Sequence, residues 1–283
     1  MDLEYDIGRE LFKTARRVSE RILEPMRDEH DCVRASSIPY LCPREEYLAW
    51  KYDVKRYISL DPSLEITFQI GTYFHELYRT EYFGPMGTYV GAWECTCGEN
   101  TDKIGLSRAP VAEKGHIVEK GLFAKQPLAC PSCGKKGMAF MEWNFSDQEI
   151  GIKGHPDGWS IGYNGLTMVD LKTHGASNFS SRNSLRPGHD TQVMAYCWMT
   201  GTPSGRIWYL NKSPWGDHRS FIRDIPVVFD SKKFKRDVID PVYEVRTAIA
   251  NNVCPDRKKQ CDSYQSSCAQ KCPLSKICFN GVI

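Results

Sequence analysis

Two carboxylates and an amine stand close together in the middle of the sequence. Asp157 belongs to the segment GHPDG at 154–158, and Asp170 and Lys172 belong to the segment VDLKT at 169–173. Two neighbouring carboxylates repel unless a cation lies between them, and Mg²⁺ and Mn²⁺ prefer oxygen ligands. Such an ion polarises a phosphoryl oxygen and lowers the pKa of bound water, while a lysine holds that water or offsets charge on the phosphate. The alternative is a surface hairpin with a solvated Asp–Lys pair.

A β-hairpin is predicted to bring these three side chains together. The dipeptide Asn-Gly at 164–165 favours a type I′ turn, because both central positions of that turn need positive φ. The segments on either side have strand-like composition. Asp157 therefore stands near the start of one strand and Asp170 near the end of the next. Asp170 and Lys172 share a face of the sheet because side chains alternate along a strand.

The order of these segments resembles the PD-(D/E)XK nuclease superfamily in its RecB-like branch, and most of all the CRISPR-associated exonucleases and their phage relatives. In that family a helical histidine and the two aspartates hold the metal, the lysine is catalytic, and a Gln-x-x-x-Tyr helix follows. The resemblance covers both ends and the second half of the chain, but not residues 93–140. It implies these site residues, with the Leu171 carbonyl as a further metal ligand: His75, Asp157, Asp170, Lys172, Gln192 and Tyr196.

Two predicted helices carry the remaining members of this set. His75 lies one turn after Gly71 in a helix predicted over 64–82, and its role as a ligand rests on the resemblance, because a lone helical histidine is more often an ordinary hydrogen-bonded residue. The helix predicted over 190–200 ends before a glycine, which favours the left-handed conformation that follows many helices. Gln and Tyr one turn apart in that helix point the same way. A further helix is predicted over 3–29.

Four cysteines in the middle of the chain form two short knuckles, each followed by glycine. Four thiolates fill a tetrahedral site, and the glycines let backbone amides point at the sulfurs. The first knuckle is Cys-x-Cys rather than the usual Cys-x-x-Cys, and the alternative is chance spacing in a cysteine-rich chain. We expect a zinc ribbon with structural zinc on Cys95, Cys97, Cys130 and Cys133.

The C-terminal tail holds a second group of cysteines, dense enough to suit zinc or an iron–sulfur cluster. RecB-like nucleases that carry a cluster take the first ligand from a Cys-Pro-Arg segment near the N-terminus and three more from the tail. The resemblance therefore implies a 4Fe–4S cluster on Cys42, Cys268, Cys272 and Cys278. Cys261 is the alternative to Cys268, because the spacing between Cys268 and Cys272 departs from the commoner Cys-x-x-Cys.

Composition is that of a soluble globular chain: 283 residues, 41% hydrophobic and 25% charged, with a formal net charge of +2. A near-neutral charge means that any contact with nucleic acid comes from a local patch. No apolar stretch is long enough to span a membrane, and the acidic N-terminus is not a signal peptide. Twelve cysteines without such a signal favour metal binding over disulfides and predict a cytoplasmic location. If a phage encodes the chain, that location is the cytoplasm of the host.

The expected fold is α/β of the mixed α+β kind, a restriction-endonuclease-like core with helices on the faces of a mixed sheet. The expected function is Mg²⁺- or Mn²⁺-dependent cleavage of DNA, exonucleolytic by resemblance, on single strands or duplex ends. DNA is the implied partner, together with other recombination or replication proteins, in a recombination, replication or repair context. The alternative is a degenerate nuclease core that binds nucleic acid or a replication partner without cutting. The predicted parts are a helical part at 1–90, the zinc ribbon at 91–140, the nuclease core at 141–253 and the cluster segment at 254–283.

Overall fold

The structure is a computed structural model. It describes residues 32–53, 62–95, 112–113, 124–125, 129, 133–134, 136, 138–142, 145–162, 165–175, 179, 185–212 and 221–280. The helix predicted over 3–29 lies outside these residues, as do Cys97 and Cys130. Within the described ranges, none of the helices combines the length and the apolar character needed to cross a membrane.

The described part of the chain contains both helices and strands, so the prediction of a mixed α and β fold is confirmed. The helices are α1 (Pro43–Lys51), α2 (Pro62–Leu77), α3 (His189–Thr200), α4 (Ser231–Phe234), α5 (Asp240–Asn251), α6 (Ser267–Lys271) and α7 (Ser275–Asn280). The strands are β1 (Val33–Arg34), β2 (Tyr89–Cys95), β3 (Ala112–Glu113), β4 (Ala124–Lys125), β5 (Met138–Met141), β6 (Phe145–Asp147), β7 (Ile152–Gly154), β8 (Gly158–Gly162), β9 (Gly165–His174), β10 (Ser204–Asn211) and β11 (Ile222–Val228). Single 3₁₀ turns lie at Ile38–Tyr40 and Lys259–Cys261, and wider π-helical turns at Tyr78–Phe83 and Lys235–Ile239.

The chain divides into two compact units. The described residues of the first unit fall within Cys42–Thr72 and Glu244–Ile283, and those of the second fall within Asp31–Leu41 and Tyr73–Tyr243. In the second unit the larger sheet has the order β11-β10-β9-β8-β2-β4, with β5 also paired to β2. A smaller sheet has the order β1-β7-β6-β3.

A β-α-β crossover forms the centre of the larger sheet. Strands β9 and β10 pair in parallel, and α3 connects them, whereas the other neighbours on this sheet pair antiparallel. A parallel pair needs such a long connection, because a tight turn can only return the chain antiparallel. The helix begins after Gly188, whose φ of 88° is left-handed, and ends at Gly201, whose φ is 64°. The predicted helix and its glycine stop are therefore confirmed.

The predicted hairpin is present, but its register differs from the prediction. Gly162 pairs with Gly165, so the connection is 163–164 and not the Asn-Gly dipeptide at 164–165. The two-residue shift keeps every side chain on its predicted face, since faces alternate with a period of two. It pairs Trp159 with Met168, both fully buried. Packing of large apolar side chains along the strands has therefore outweighed the local preference of the turn.

Each unit has its own apolar core. In the second unit, Val169 and Leu171 from β9 pack with a group of aromatic side chains: Tyr78, Phe83, Tyr89 and Trp93. These two β9 residues thus fill one face of the sheet and leave the other face to Asp170 and Lys172, as the alternation predicts. In the first unit, the core contains Tyr47 and Leu48 of α1 with Ala248 and Leu274.

Candidate active site

Four elements position the six residues that the sequence singles out, and all six residues lie in the second unit. His75 stands in the last turn of α2, and Asp157 immediately precedes β8. Asp170 and Lys172 stand on β9, while Gln192 and Tyr196 stand one turn apart on α3. The contacts described next bring all six into one connected group.

The hairpin register places the two aspartates opposite each other. Gly158 pairs with Val169, so the next position along each strand is Asp157 on one and Asp170 on the other. The backbone N–H of Leu171 donates a hydrogen bond of 2.7 Å to Asp157 Oδ2. Leu171 thus enters the site through its amide, and its carbonyl stays a predicted metal ligand.

Asp157 is buried and receives several donors at once. Its Oδ1 pairs with the Arg79 guanidinium and lies 3.3 Å from His75 Nδ1. The Tyr89 hydroxyl donates a 2.5 Å hydrogen bond to the Asp157 carbonyl oxygen. This hydroxyl also explains the glycine at 158, because a Cβ there would lie 2.3 Å from the Tyr89 oxygen. The Pro-Asp-Gly triplet therefore has a local steric reason for its last residue.

A chain of polar contacts connects Asp170 to α3. Lys172 Nζ lies 2.9 Å from Asp170 Oδ2 and donates a 3.1 Å hydrogen bond to Gln192 Oε1. Gln192 Nε2 donates to the Tyr196 hydroxyl at 2.9 Å and makes a longer contact of 3.4 Å with Asp170 Oδ1. The Gln–Tyr pair thus orients the lysine, and both members of the pair are buried.

The two aspartates have pKa values that move in opposite directions. Burial opposes ionisation of Asp157, but His75 and Arg79 together hold the pKa of Asp157 well below its usual range. Burial raises the pKa of Asp170 to about 6, against the effect of Lys172 and with the help of the Asp157 charge. Burial also opposes the charge of Lys172, yet the two aspartates keep the pKa of Lys172 above its usual value. Asp157 therefore stays ionised and Lys172 stays charged, in a group where each aspartate has a cationic partner within the protein.

Arg79 and Glu142 are members of the site that the sequence prediction missed. Arg79 is 5% exposed, pairs with Asp157, and reaches Glu142 Oε1 with Nη1 at 2.7 Å. Its guanidinium lies over the Phe140 ring, 4.9 Å from the ring centroid. One signal in the sequence could have found Arg79, namely its position four residues after His75 on the same helical face. No comparable local signal indicates Glu142.

The donor set suits a hard divalent ion, although it is not gathered around one point. Asp170 Oδ2 is buried and ion-paired but has no well-aligned hydrogen bond, so it keeps capacity to accept a ligand bond. Carboxylate oxygens suit Mg²⁺ and Mn²⁺. Within the described ranges, however, no three side chains of His, Cys, Asp or Glu approach closely enough to enclose a metal ion. Arg79 and Lys172 supply the positive charge next to the two aspartates in this arrangement.

The first unit brings several of the tail cysteines together. Cys42, Cys272 and Cys278 line one cavity with Cys261, and Arg44 Nε donates to the Cys278 sulfur at 3.1 Å. Burial raises the pKa of the Cys272 thiol to about 11.

The cavity differs from the predicted ligand set at one position. Cys268 forms a disulfide with Cys261, so neither sulfur is a thiolate in this state. A sulfur bonded to another sulfur has no charge to offer a metal, so the assignment of Cys268, or of Cys261, to the cluster stays a prediction for the reduced protein. Cys261, the alternative, is the member of the pair that lines the cavity.

The zinc ribbon lies largely beyond the residues that the structure describes. The backbone of Cys95 ends β2, and Cys133 is exposed in a turn before Gly134, whose φ of 71° is left-handed. A left-handed glycine directly after a cysteine is the conformation that a knuckle needs. The ligand set of four cysteines stays a prediction.

Comparisons with known proteins give only remote likenesses. No protein-family model matches the chain, and none of the curated proteins matches its sequence. Among solved structures it is similar to one titled "Crystal structure of SSO0001", with 15% identity, 98% of each chain covered and a TM-score of 0.45. It is also similar to an alkaline exonuclease (LHK-Exo) from Laribacter hongkongensis, with 12% identity, 80% of this chain and 93% of that chain covered, and a TM-score of 0.46. Identities and TM-scores this low carry no weight for the function of this chain.

Proposed function

We propose that the chain is a metal-dependent nuclease that hydrolyses phosphodiester bonds of DNA. The observation that carries the proposal is the connected group of His75, Asp157, Asp170 and Lys172 in the second unit, in which both aspartates are buried. Two opposed aspartates suit a divalent ion that activates a phosphodiester, and a lysine paired with one of them suits the charge that builds up on the phosphate. The finer proposal, an exonuclease that acts on single strands or duplex ends in recombination, replication or repair, is what the resemblance to RecB-like nucleases implies.

Each residue has a proposed role. Asp157, Asp170 and His75 would hold Mg²⁺ or Mn²⁺, with the Leu171 carbonyl as a further ligand. The ion, when bound, would supply Lewis-acid activation of the phosphate and of a water molecule. Lys172 positions that water and offsets the charge that builds up on the phosphate. Gln192 fixes the lysine ammonium at 3.1 Å, and Tyr196 fixes Gln192 in turn.

Replacement of the lysine tests this function directly. Lys172→Met should lower the rate of cleavage of end-labelled DNA with Mn²⁺ by about 10²-fold or more, the usual effect of removing a group that stabilises transition-state charge. Binding of DNA should remain. The matched control is Lys233→Met, which also removes a lysine paired to an aspartate, Asp190, but outside the site.

The digestion also distinguishes nuclease action from the alternative, a module that binds nucleic acid without cutting it. The neutralisation of both aspartates by Arg79 and Lys172 is the observation that favours such a module. If wild-type protein binds single- or double-stranded DNA but cuts neither with Mg²⁺ or Mn²⁺, the nuclease proposal is wrong. Single and double strands labelled at either end would also give the substrate preference and the polarity.

We propose in addition that the tail cysteines hold a 4Fe–4S cluster as a structural cofactor. Cys42, Cys272 and Cys278 would supply three ligands, and reduction of the disulfide by a thiol would free Cys261 for the fourth. Protein purified without oxygen should be brown and contain four irons per chain, as the cluster requires. The iron content should fall more in Cys261→Ser than in Cys268→Ser. If it falls more in Cys268→Ser, Cys268 is the fourth ligand and the assignment to Cys261 is wrong.

Zinc on Cys95, Cys97, Cys130 and Cys133 is proposed on the sequence pattern. Elemental analysis of the same preparation should give one zinc per chain, the content of a four-thiolate structural site. Two zincs and no iron in a colourless protein would refute the cluster and leave the ribbon.

A further inference from the structure

A buried arginine pairs with an aspartate that the proposed metal would need as a ligand. Arg79 lies in the π-helical turn that follows α2, and its side chain is 6% exposed. Its guanidinium pairs with Asp157 through Nη2 and with Glu142 through Nη1, the latter at 2.7 Å. Arg79 Nε is also buried and, within the described part of the chain, has no hydrogen-bond partner. The guanidinium is therefore held by two carboxylates and only partly satisfied.

The hydrogen bonds to Asp157 show why Arg79 matters for a metal. An ionised carboxylate offers about four lone-pair positions on its two oxygens. Asp157 Oδ2 accepts the Leu171 N–H at 2.7 Å, while Oδ1 pairs with Arg79 and lies 3.3 Å from His75 Nδ1. A metal cation bound to Asp157 Oδ1 would share that oxygen with the Arg79 guanidinium. Two positive charges in contact with one oxygen atom repel each other strongly in a buried site.

Glu142 offers the guanidinium a place to go. Its side chain is 44% exposed, whereas the Asp157 side chain is 11% exposed, so Glu142 is much the easier of the two carboxylates to move. The Phe140 ring lies beneath the guanidinium at 4.9 Å and provides a flat surface on which it can turn. Asp157, by contrast, is fixed by the Leu171 amide and by Tyr89.

We propose that Arg79 is a displaceable counterion, which neutralises Asp157 in the absence of metal and shifts onto Glu142 when a divalent cation binds. Arg79 is thus a positioning residue that sets the metal affinity of the site. Glu142 makes the shift possible by keeping the buried guanidinium paired after it leaves Asp157. This inference rests on the proposed metal-dependent function, because it requires a cation at Asp157.

Mn²⁺ binding without DNA tests the inference apart from activity. The signal of free Mn²⁺ in electron paramagnetic resonance gives the affinity of the whole chain. Arg79→Gln removes the competing charge and should tighten Mn²⁺ binding about tenfold or more. Arg79→Lys keeps the charge, so its affinity should stay near that of the wild type. Circular dichroism at the same protein concentration shows whether each variant is folded.

Glu142→Gln provides the second, independent arm, at a side chain that is 44% exposed, and circular dichroism checks its folding in the same way. With Glu142 neutral, Arg79 has Asp157 as its remaining charged partner, and Mn²⁺ binding should weaken about tenfold. In the Arg79→Gln background the same replacement should have much less effect. If Glu142 were instead a direct metal ligand, Glu142→Gln would weaken Mn²⁺ binding equally in the wild-type and Arg79→Gln backgrounds.

The outcomes separate the inference from the function beneath it. Tighter Mn²⁺ binding in Arg79→Gln together with a background-dependent effect of Glu142→Gln supports the displaceable counterion. Unchanged or weaker binding in Arg79→Gln, or equal effects of Glu142→Gln in both backgrounds, overturns it while the metal site stands. Should the Arg79 variants fail to fold, unchanged Mn²⁺ affinity in Glu142→Gln overturns it alone. Wild type that binds no Mn²⁺ refutes the metal-dependent function itself.

Discussion

Replacing Gln192 with methionine isolates the polar contacts that orient Lys172. Methionine has nearly the length and flexibility of glutamine, so it fills the same space without opening a large cavity. The replacement removes the 3.1 Å bond from Lys172 and the 2.9 Å bond to Tyr196. Lys172 keeps its ion pair with Asp170, at 2.9 Å, so the ammonium stays paired but loses its orientation.

The expected loss of stability follows from those two bonds. A hydrogen bond to a charged group contributes about 1.5–3 kcal/mol and a neutral one about 1 kcal/mol. The 3.4 Å contact with Asp170 is too long to add measurably. Gln192→Met should therefore lower the free energy of unfolding by about 3 kcal/mol. It should also slow DNA cleavage, because the lysine is no longer held at one position.

Urea titration followed by circular dichroism measures the first effect. The matched control is Gln148→Met in the same unit, where an exposed amide accepts a weak 3.4 Å contact from the Cys32 thiol. Surface replacements of that kind usually change stability by about 0.5 kcal/mol or less. If Gln192→Met loses no more stability than Gln148→Met, the polar chain does not hold the site together, and the orientation argument for Lys172 is wrong.

Three further predictions concern packing, helix ends and pH. Gly158→Ala should lower the free energy of unfolding by about 1–3 kcal/mol and slow DNA cleavage, because the added Cβ would lie 2.3 Å from the Tyr89 hydroxyl oxygen. The control is Gly175→Ala, which should change neither stability nor cleavage, because an added Cβ there has nothing within 4 Å. Ser266→Ala removes the side-chain bond to the first turn of α6 and should lower the free energy of unfolding in urea by about 1 kcal/mol. Backbone hydrogen bonds from the first turn of α4 lower the pKa of Asp230 below its ordinary value of 3.8. The ionised carboxylate therefore gives its full stabilisation of the fold above pH 3.8, and this stabilisation is lost as the pH falls below that value. The difference in melting temperature between wild type and Asp230→Ala should accordingly narrow below that pH, and a constant difference would contradict the capping role.

Local pattern was enough to predict the main elements of the second unit. Alternation along β9 gave the correct faces for Asp170 and Lys172, and the glycine at 201 gave the correct end of α3. Both signals are short-range consequences of backbone geometry. The predicted hairpin register was wrong by two residues, because the register depends on a long-range effect. Trp159 pairs with Met168 through burial, which a turn dipeptide does not encode.

The candidate site was predictable as a set of residues but not as a charge distribution. The family resemblance supplied the two acids, the lysine and the histidine as a set, from local motifs that need no long-range contact to be recognised. The pKa of Asp170, raised to about 6, depends on burial and on its distance from Asp157. Those quantities arise from tertiary structure, so sequence spacing alone cannot supply them. The disulfide between Cys261 and Cys268 was unforeseen for the same reason, because cysteine connectivity is not readable from spacing.

Arg79 shows what the motif omits. It lies four residues after His75 on the face that meets Asp157, and a sequence reading would assign such an arginine to a solvated surface. Burial of a guanidinium is unfavourable unless its charge is paired, so its 5% exposure makes sense only with Asp157 and Glu142 on either side. Those partners lie 78 and 63 positions along the chain from Arg79, too far for any helical or strand periodicity to connect them. On our proposal, a metal site arranged in this way contains its own competing cation, so Arg79 would help to set its affinity for Mn²⁺.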